Sequence, residues 1–140
     1  HGFARLTGDI DLVIDLEPSN LRSALQALSK EGFKPRAPVD PLQFADPKIR
    51  ESWIHDKGMV VFSLWRSTGF PLEIDIFVKE PMPFEGLFER SSVITIEEVP
   101  IRLASIDDII RMKRLAGRPQ DLIDIQALEL IKSDAEKSDE

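Results

Sequence analysis

The chain contains no cysteine and only two histidines among its 140 residues. Without cysteine there is no disulfide framework and no thiolate zinc site, which fits a reducing compartment, and His1 and His55 cannot make a zinc site by themselves. These residues also lack an apolar run near the roughly 20 needed to span a bilayer, and they lack a charged-then-apolar secretory leader. We therefore expect a soluble, cytoplasmic protein with no membrane partner. Net positive charge is missing as well. The balance is −7, so the surface has no general affinity for a phosphate backbone, and contact with nucleic acid requires a local basic cluster.

What the chain does have is 42% apolar residues, enough to bury one core and too few residues for two ordinary ones. We expect one domain over residues 1–132, followed by a polar, acidic, disordered tail at 133–140. No internal repeat interrupts it. Asp9 to Leu16 alternates strictly, with Ile10, Leu12, Ile14 and Leu16 on one face, which predicts a strand. Pro18 and Ser19 open a helix carrying Leu21, Ala24, Leu25 and Leu28, and Gly32 stops it. After a Pro-rich connection from Pro35 to Pro41, Asp46-Pro47 caps a short helix ending near Gly58. Met59–Trp65 and Leu72–Val78 flank a turn and predict an antiparallel hairpin. Ser92–Glu97 and Ile101–Leu103 are shorter strands. Ser105 caps a helix to about Ala116, with Asp108 as capping-box partner, and Gly117 ends it. Pro119 starts the last helix. The order predicts an α+β or α/β domain with a mixed sheet.

Two strands carry acids on their outward face. Alternate residues on a strand lie roughly 7 Å apart and point the same way, so Asp9 and Asp11 can both reach a cation placed between them. LEIDIFV repeats the device, with Leu72, Ile74, Ile76 and Val78 turned to the core and Glu73, Asp75 and Phe77 outward. If the two strands are neighbours with these faces aligned, three carboxylates converge, and such a cluster is costly unless a cation neutralises it. Mg²⁺ suits an all-oxygen site that keeps waters and binds substrate phosphates. The ordinary alternative is the solvated face of a half-exposed sheet. Asp15, further along, reads as a surface charge.

The last two helices hold an oddity. At about 100° per residue, Lys113 falls inside the apolar arc of Ile106, Ile109, Ile110 and Ala116, while Arg111 and Arg114 fall outside it. In the final helix Asp121 and Asp124 fall in the arc of Ile125, Leu128 and Ile131. The connection Gly117-Arg-Pro forces the helices to be neighbours, so Lys113 can meet Asp121 or Asp124. A buried Lys–Asp bridge and a functional lysine that holds phosphate charge are both open, and the two are compatible. Arg111, Arg114 and Arg118 form a small exposed basic stripe, ordinarily a solvated face, though one that could steer an anionic acceptor.

These pieces resemble a known family. HGFARLTGDIDLVID is similar to a metal-binding strand of the form H-G-x-x-R-x-T-x-D-I-D, LEIDIF supplies the third acid, and SIDDIIRMKRLAGRPQDLIDIQAL is similar to a closing K-x-x-x-G-R-x-x-D-x-x-D pattern. In this order they resemble the DNA polymerase β-like nucleotidyltransferases, in the prokaryotic branch related to the AbiEii abortive-infection toxins. The resemblance implies an α+β nucleotidyltransferase fold, a mixed twisted sheet flanked by helices with a C-terminal helix pair. It implies that Asp9 and Asp11 bind the metals, two Mg²⁺ ions, that hold the NTP phosphates. Asp75 would bind the second metal and help activate the acceptor hydroxyl. Arg5 and Thr7 would flank the phosphate site, and Lys113, with Asp121 or Asp124, would match the charged nucleotide-binding residues of the C-terminal motif.

The implied function is transfer of NMP from an NTP to an RNA end, such as that of a tRNA-like acceptor, or to a protein hydroxyl, within a toxin–antitoxin or abortive-infection system with a cognate partner protein. The resemblance also implies a Gly-Gly or Gly-Ser turn about ten residues before Asp9. The chain starts inside that motif, so we expect residues upstream to be missing. Two other classes stand beside this one: a non-catalytic antitoxin or regulatory module of the same fold, and a two-metal nuclease. The nuclease lacks its usual acid-x-lysine pairing, since Lys79 lies four residues after Asp75.

Overall fold

Alternation of apolar and polar residues becomes, in the first half of the chain, a four-stranded mixed sheet. The computed structural model describes residues 9–69, 71–116 and 119–138, without the side chains of Asp9, Ala116, Gln120 and residues 135–138. Arg5, Thr7, the glycine stop at Gly117 and the basic Arg118 lie outside the described residues. The described residues divide into two compact units, the first ending at Glu80 and the second beginning at Pro81.

The first unit contains β1 (Asp9–Leu12), α1 (Pro18–Lys30), β2 (Lys34–Pro35), a 3-10 turn (Pro41–Ala45), α2 (Pro47–Lys57), β3 (Val61–Arg66) and β4 (Leu72–Phe77). The strand order is β1-β4-β3-β2. β1 runs parallel to β4, whereas β3 is antiparallel to both β4 and β2. The β3–β4 pairing is the hairpin expected from the turn residues. β2, inside the Pro-rich connection, is an addition. Its Pro35 is tolerated because β2 lies at the end of the sheet, where a missing N–H breaks no ladder on the outer side.

One face of the sheet is dry. Phe62, Leu64, Ile74, Ile76 and Val78 are buried with Leu21 and Leu25 of α1, Phe44 of the 3-10 turn and Trp53 of α2. The Phe62 ring stacks on Phe44 at 4.8 Å and on Trp53 at 5.5 Å. The ladder of β1 stops at Leu12 rather than at Leu16. Ile14 and Leu16 still pack against this core, because alternation records which side of the chain is buried and not where the hydrogen-bonded ladder ends.

Caps set the helix ends. Glu17, one residue before Pro18, accepts the N–H groups of Ser19 at 3.1 Å and Asn20 at 3.0 Å, and the Ser19 hydroxyl, the largest of these influences, helps hold its carboxyl below the usual range. α1 closes through Gly32, whose φ of +91° lets the Phe33 N–H return to the Leu28 carbonyl at 3.1 Å. Asp46 caps α2 through the Lys48 N–H, as the Asp-Pro signal predicts.

The second unit contains α3 (Phe84–Arg90), β5 (Ser92–Ile96), β6 (Val99–Leu103), α4 (Ile106–Ala116) and α5 (Pro119–Ser138). β5 and β6 form a separate two-stranded hairpin. Its turn, Glu97-Glu98, has positive φ at both residues, 49° and 69°, the geometry of a mirror-image two-residue turn matched to strand twist. α4 and α5 meet along Ile110, Ile125 and Leu128, with Ile106 and Ile109 beside them. α5 runs through Ser138, past the boundary placed at 132 on polarity; helix propagation adds one bond per ordered residue, and Ala135, Glu136 and Lys137 are good helix formers. No helix among the described residues is long and apolar enough to cross a membrane.

α3 was not expected, because Pro83 and Gly86 weaken its sequence as a helix. Gly86 has a packing reason. A Cβ there would meet the Arg90 guanidinium at 2.8 Å, and that guanidinium donates through Nε to Asp108 Oδ2 at 2.8 Å. Asp108 is fully buried. Ser105 accepts the Asp108 N–H at 3.1 Å, so half of the expected capping box forms, while the carboxylate turns to Arg90. That hydrogen bond, more than any other influence, holds the Asp108 carboxyl below its usual range.

Two outcomes follow. Phe62→Ala removes the ring shared by two stacks and destabilises the first unit by about 3–5 kcal/mol, measured by urea denaturation. Because the folded Asp108 has a lowered pKa, the unfolded chain binds the proton more readily. Its contribution is full above the unfolded value of about 3.9 and is lost as pH falls through the lower folded value. Asp108→Asn flattens the fall in unfolding free energy across that acid window, read from denaturation midpoints at a series of pH values.

Candidate functional site

Residues paired in register on neighbouring strands share a face of the sheet, and one register decides the candidate site. Asp11 of β1 lies opposite Asp75 of β4, and Asp9 lies opposite Glu73. Strands are about 4.8 Å apart, so the two acidic strands are neighbours with Asp11 and Asp75 side by side, as the outward alternation of both requires. Asp11 is exposed and Asp75 half-buried. On the other side of β4, Ser63 of β3 is the register partner of Asp75, and its hydroxyl donates to Asp75 Oδ1 at 2.6 Å.

Glu73 has a different partner. Arg36 donates to its Oε1 at 2.8 Å, and the same guanidinium lies over the Trp65 ring, 4.7 Å from its centre. A carboxylate matched by an arginine is neutralised without a metal. Asp15 is exposed and accepts the Glu17 N–H at 3.1 Å, a surface role.

Among the described residues no three acidic, histidine or cysteine side chains gather closely enough to hold a metal ion; the side chain of Asp9 is not among those described. The donor chemistry nonetheless fits a hard divalent cation. Asp11 and Asp75 are register partners carrying carboxylate oxygens on one face, and the Ser63 hydroxyl bonds Oδ1 of Asp75.

The second unit carries the helix-pair residues. Lys113 Nζ lies 3.1 Å from Asp124 Oδ2 and 3.9 Å from Asp121 Oδ1. Both aspartates are 2% exposed, and the lysine side chain keeps 22% of its surface. The structure thus brings Lys113, Asp121 and Asp124 together, and each points inward as its place in the apolar arc predicts. Of the basic stripe, Arg114 pairs with Glu129 at 2.6 Å and Arg111 lies 3.8 Å from Asp108, so both are tied within the helix pair.

Ser63 and Arg36 were not singled out from the sequence. Ser63 did leave a signal, a small polar residue at an outward strand position between Val61 and Trp65. Arg36 left none, since its contacts depend on β2, which the Pro-rich connection concealed.

A family model described as nucleotidyl transferase AbiEii toxin, type IV TA system, matches residues 1–138. No curated protein matches the chain. The mixed sheet and the C-terminal helix pair are those of the expected α+β nucleotidyltransferase fold.

Lys113→Met removes the ammonium that meets two buried carboxylates and destabilises the helix pair by about 3 kcal/mol, the low end for a broken buried pair because the lysine reaches water. Adding Asp124→Leu recovers part of the loss, since a buried pair replaced by apolar side chains is often neutral. Thermal unfolding of the single and double variants checks both statements.

Proposed function

The chain belongs to the AbiEii nucleotidyltransferase toxin family, and from that premise we propose that it is a Mg²⁺-dependent enzyme moving NMP from an NTP to an RNA end or to a protein hydroxyl. Membership in a type IV toxin–antitoxin family implies a nucleotide substrate and a cognate antitoxin. The matching family is described as the toxin, which speaks against an antitoxin role for the chain itself.

The observation that carries the reading is the register that sets Asp11 beside Asp75. Nucleotidyl transfer is an in-line displacement at the α-phosphorus. It needs charge neutralisation on the attacking and leaving oxygens and needs no covalent nucleophile, which suits a chain without cysteine. Asp9, Asp11 and Asp75 would hold two Mg²⁺ ions, which when bound neutralise the phosphate oxygens and favour ionisation of the acceptor hydroxyl. Asp75 would take the role nearest the acceptor that the family resemblance implies. Arg36 keeps Glu73 from competing as a ligand. The roles of Arg5 and Thr7 at the phosphates, and of Lys113, Asp121 and Asp124 in nucleotide binding, rest on the resemblance and belong to the same proposal.

Isothermal titration with NTP and Mg²⁺ tests the site. The wild type binds, and the Asp9→Ala, Asp11→Ala double variant loses binding by at least about tenfold, the cost of removing metal-holding groups. Equal binding in both removes the metal-site reading. Incubation with each labelled NTP, total RNA and cell extract then identifies the acceptor by which macromolecule becomes labelled.

A further inference from the structure

Strand pairing explains why Ser63 reaches Asp75. In an antiparallel pair, directly opposite residues alternate between those that exchange backbone hydrogen bonds and those that do not, and the latter have Cα atoms only about 4.5 Å apart with side chains closer. The Val78 N–H donates to the Val60 carbonyl across the β3–β4 pair, whereas the Ser63 carbonyl accepts from Arg36 on the opposite side. Ser63 and Asp75 are therefore one of the narrow pairs. The neighbours of Ser63 on this face are Val61 and Trp65, and serine is a weaker strand former than either. A hydroxyl stands where an apolar residue would serve the strand better.

The contact itself is specific. An O–H to carboxylate distance of 2.6 Å is in the range of a charge-assisted bond. The terminal torsion of aspartate is broad and nearly two-fold, so a carboxylate on a strand is free to turn unless a partner holds one oxygen. Ser63 holds Oδ1. That fixes the rotation of a carboxylate whose residue shares a face with Asp11.

We propose that Ser63 is a positioning residue for the acidic site: by donating its hydroxyl to Asp75 Oδ1 it sets the carboxylate so that Oδ2 ligates a divalent cation together with the β1 aspartates. The inference rests on the metal-site reading above and adds a residue to it. Ser63 touches neither substrate nor metal and acts through Asp75. Groups that orient metal ligands in this way commonly matter nearly as much as the ligands.

The test uses Mn²⁺ as the probe, titrated into the protein and followed by the loss of the free-ion electron paramagnetic resonance signal, so that no acceptor or turnover is needed. Threonine and valine have the same shape and both favour strands, and only threonine keeps the hydroxyl. Ser63→Val weakens Mn²⁺ binding by about 10–100-fold, while Ser63→Thr stays within about threefold of wild type. Thermal unfolding shows both variants folded, with midpoints no lower than wild type. Asp75→Asn separates the two levels of the argument. If wild type takes up no Mn²⁺, or Asp75→Asn binds it as wild type does, the carboxylate reading fails and this inference with it. If Asp75→Asn is impaired and Ser63→Val is not, or if Ser63→Thr is as impaired as Ser63→Val, the positioning role of Ser63 alone is overturned.

Discussion

The parallel register between β1 and β4 is the constraint on which the acidic face depends. Ile74 and Ile76 are buried, and Ile10 and Leu12 are their register partners. Because side chains alternate with period two, a slip of one residue would turn the apolar partners outward and the acids into the core. Burial of β4 and packing of Leu12, Ile14 and Leu16 on the same core oppose that slip. The position of Asp11 beside Asp75 thus follows from residues on the opposite face. Stability of the dry side and geometry of the wet side are one specification.

The second unit solves a different problem, the placement of charge where water is scarce. Asp108, Asp121 and Asp124 are all buried, and each is met by a cation on another helix: Arg90 from α3 for the first, Lys113 from α4 for the other two. Buried pairs of this kind add little net stability against an apolar alternative, yet they punish any arrangement that separates the partners. They therefore fix which faces of α4 and α5 meet, a choice that the small apolar seam of Ile110, Ile125 and Leu128 leaves loosely specified. α3 is drawn into the same scheme, with Gly86 giving up helix propensity so that Arg90 can fold back toward Asp108.

Much of this was legible in the chain because it depended on local pattern. Strict alternation located the outward acids of β1 and β4, helical angles placed Lys113 with Asp121 and Asp124, and Asp-Pro and Ser105 marked helix starts. The parts that were not legible depended on partners distant in sequence. Nothing near Ser63 announces Asp75, and nothing near Arg36 announces Glu73 or Trp65; the Pro-rich composition even argued against the β2 strand that brings Arg36 to them. α3 was hidden for a related reason, since its glycine answers to an arginine's contact and not to the helix. Asp108 was read as a capping-box member, and its carboxylate instead serves a residue 18 positions away in sequence.

β1 lies at the end of the described sheet, paired through β4 on one side. A strand in that position offers its remaining backbone groups to any other extended chain, and natural sheets discourage such pairing by placing charge there. Asp11, exposed on that strand, places a carboxylate at this edge, where an incoming acidic strand such as β1 of another copy would meet it. On the proposed reading, the carboxylate that would help gather a cation is the same one that an added strand would have to accommodate. Cation binding and strand addition would then compete for one side chain.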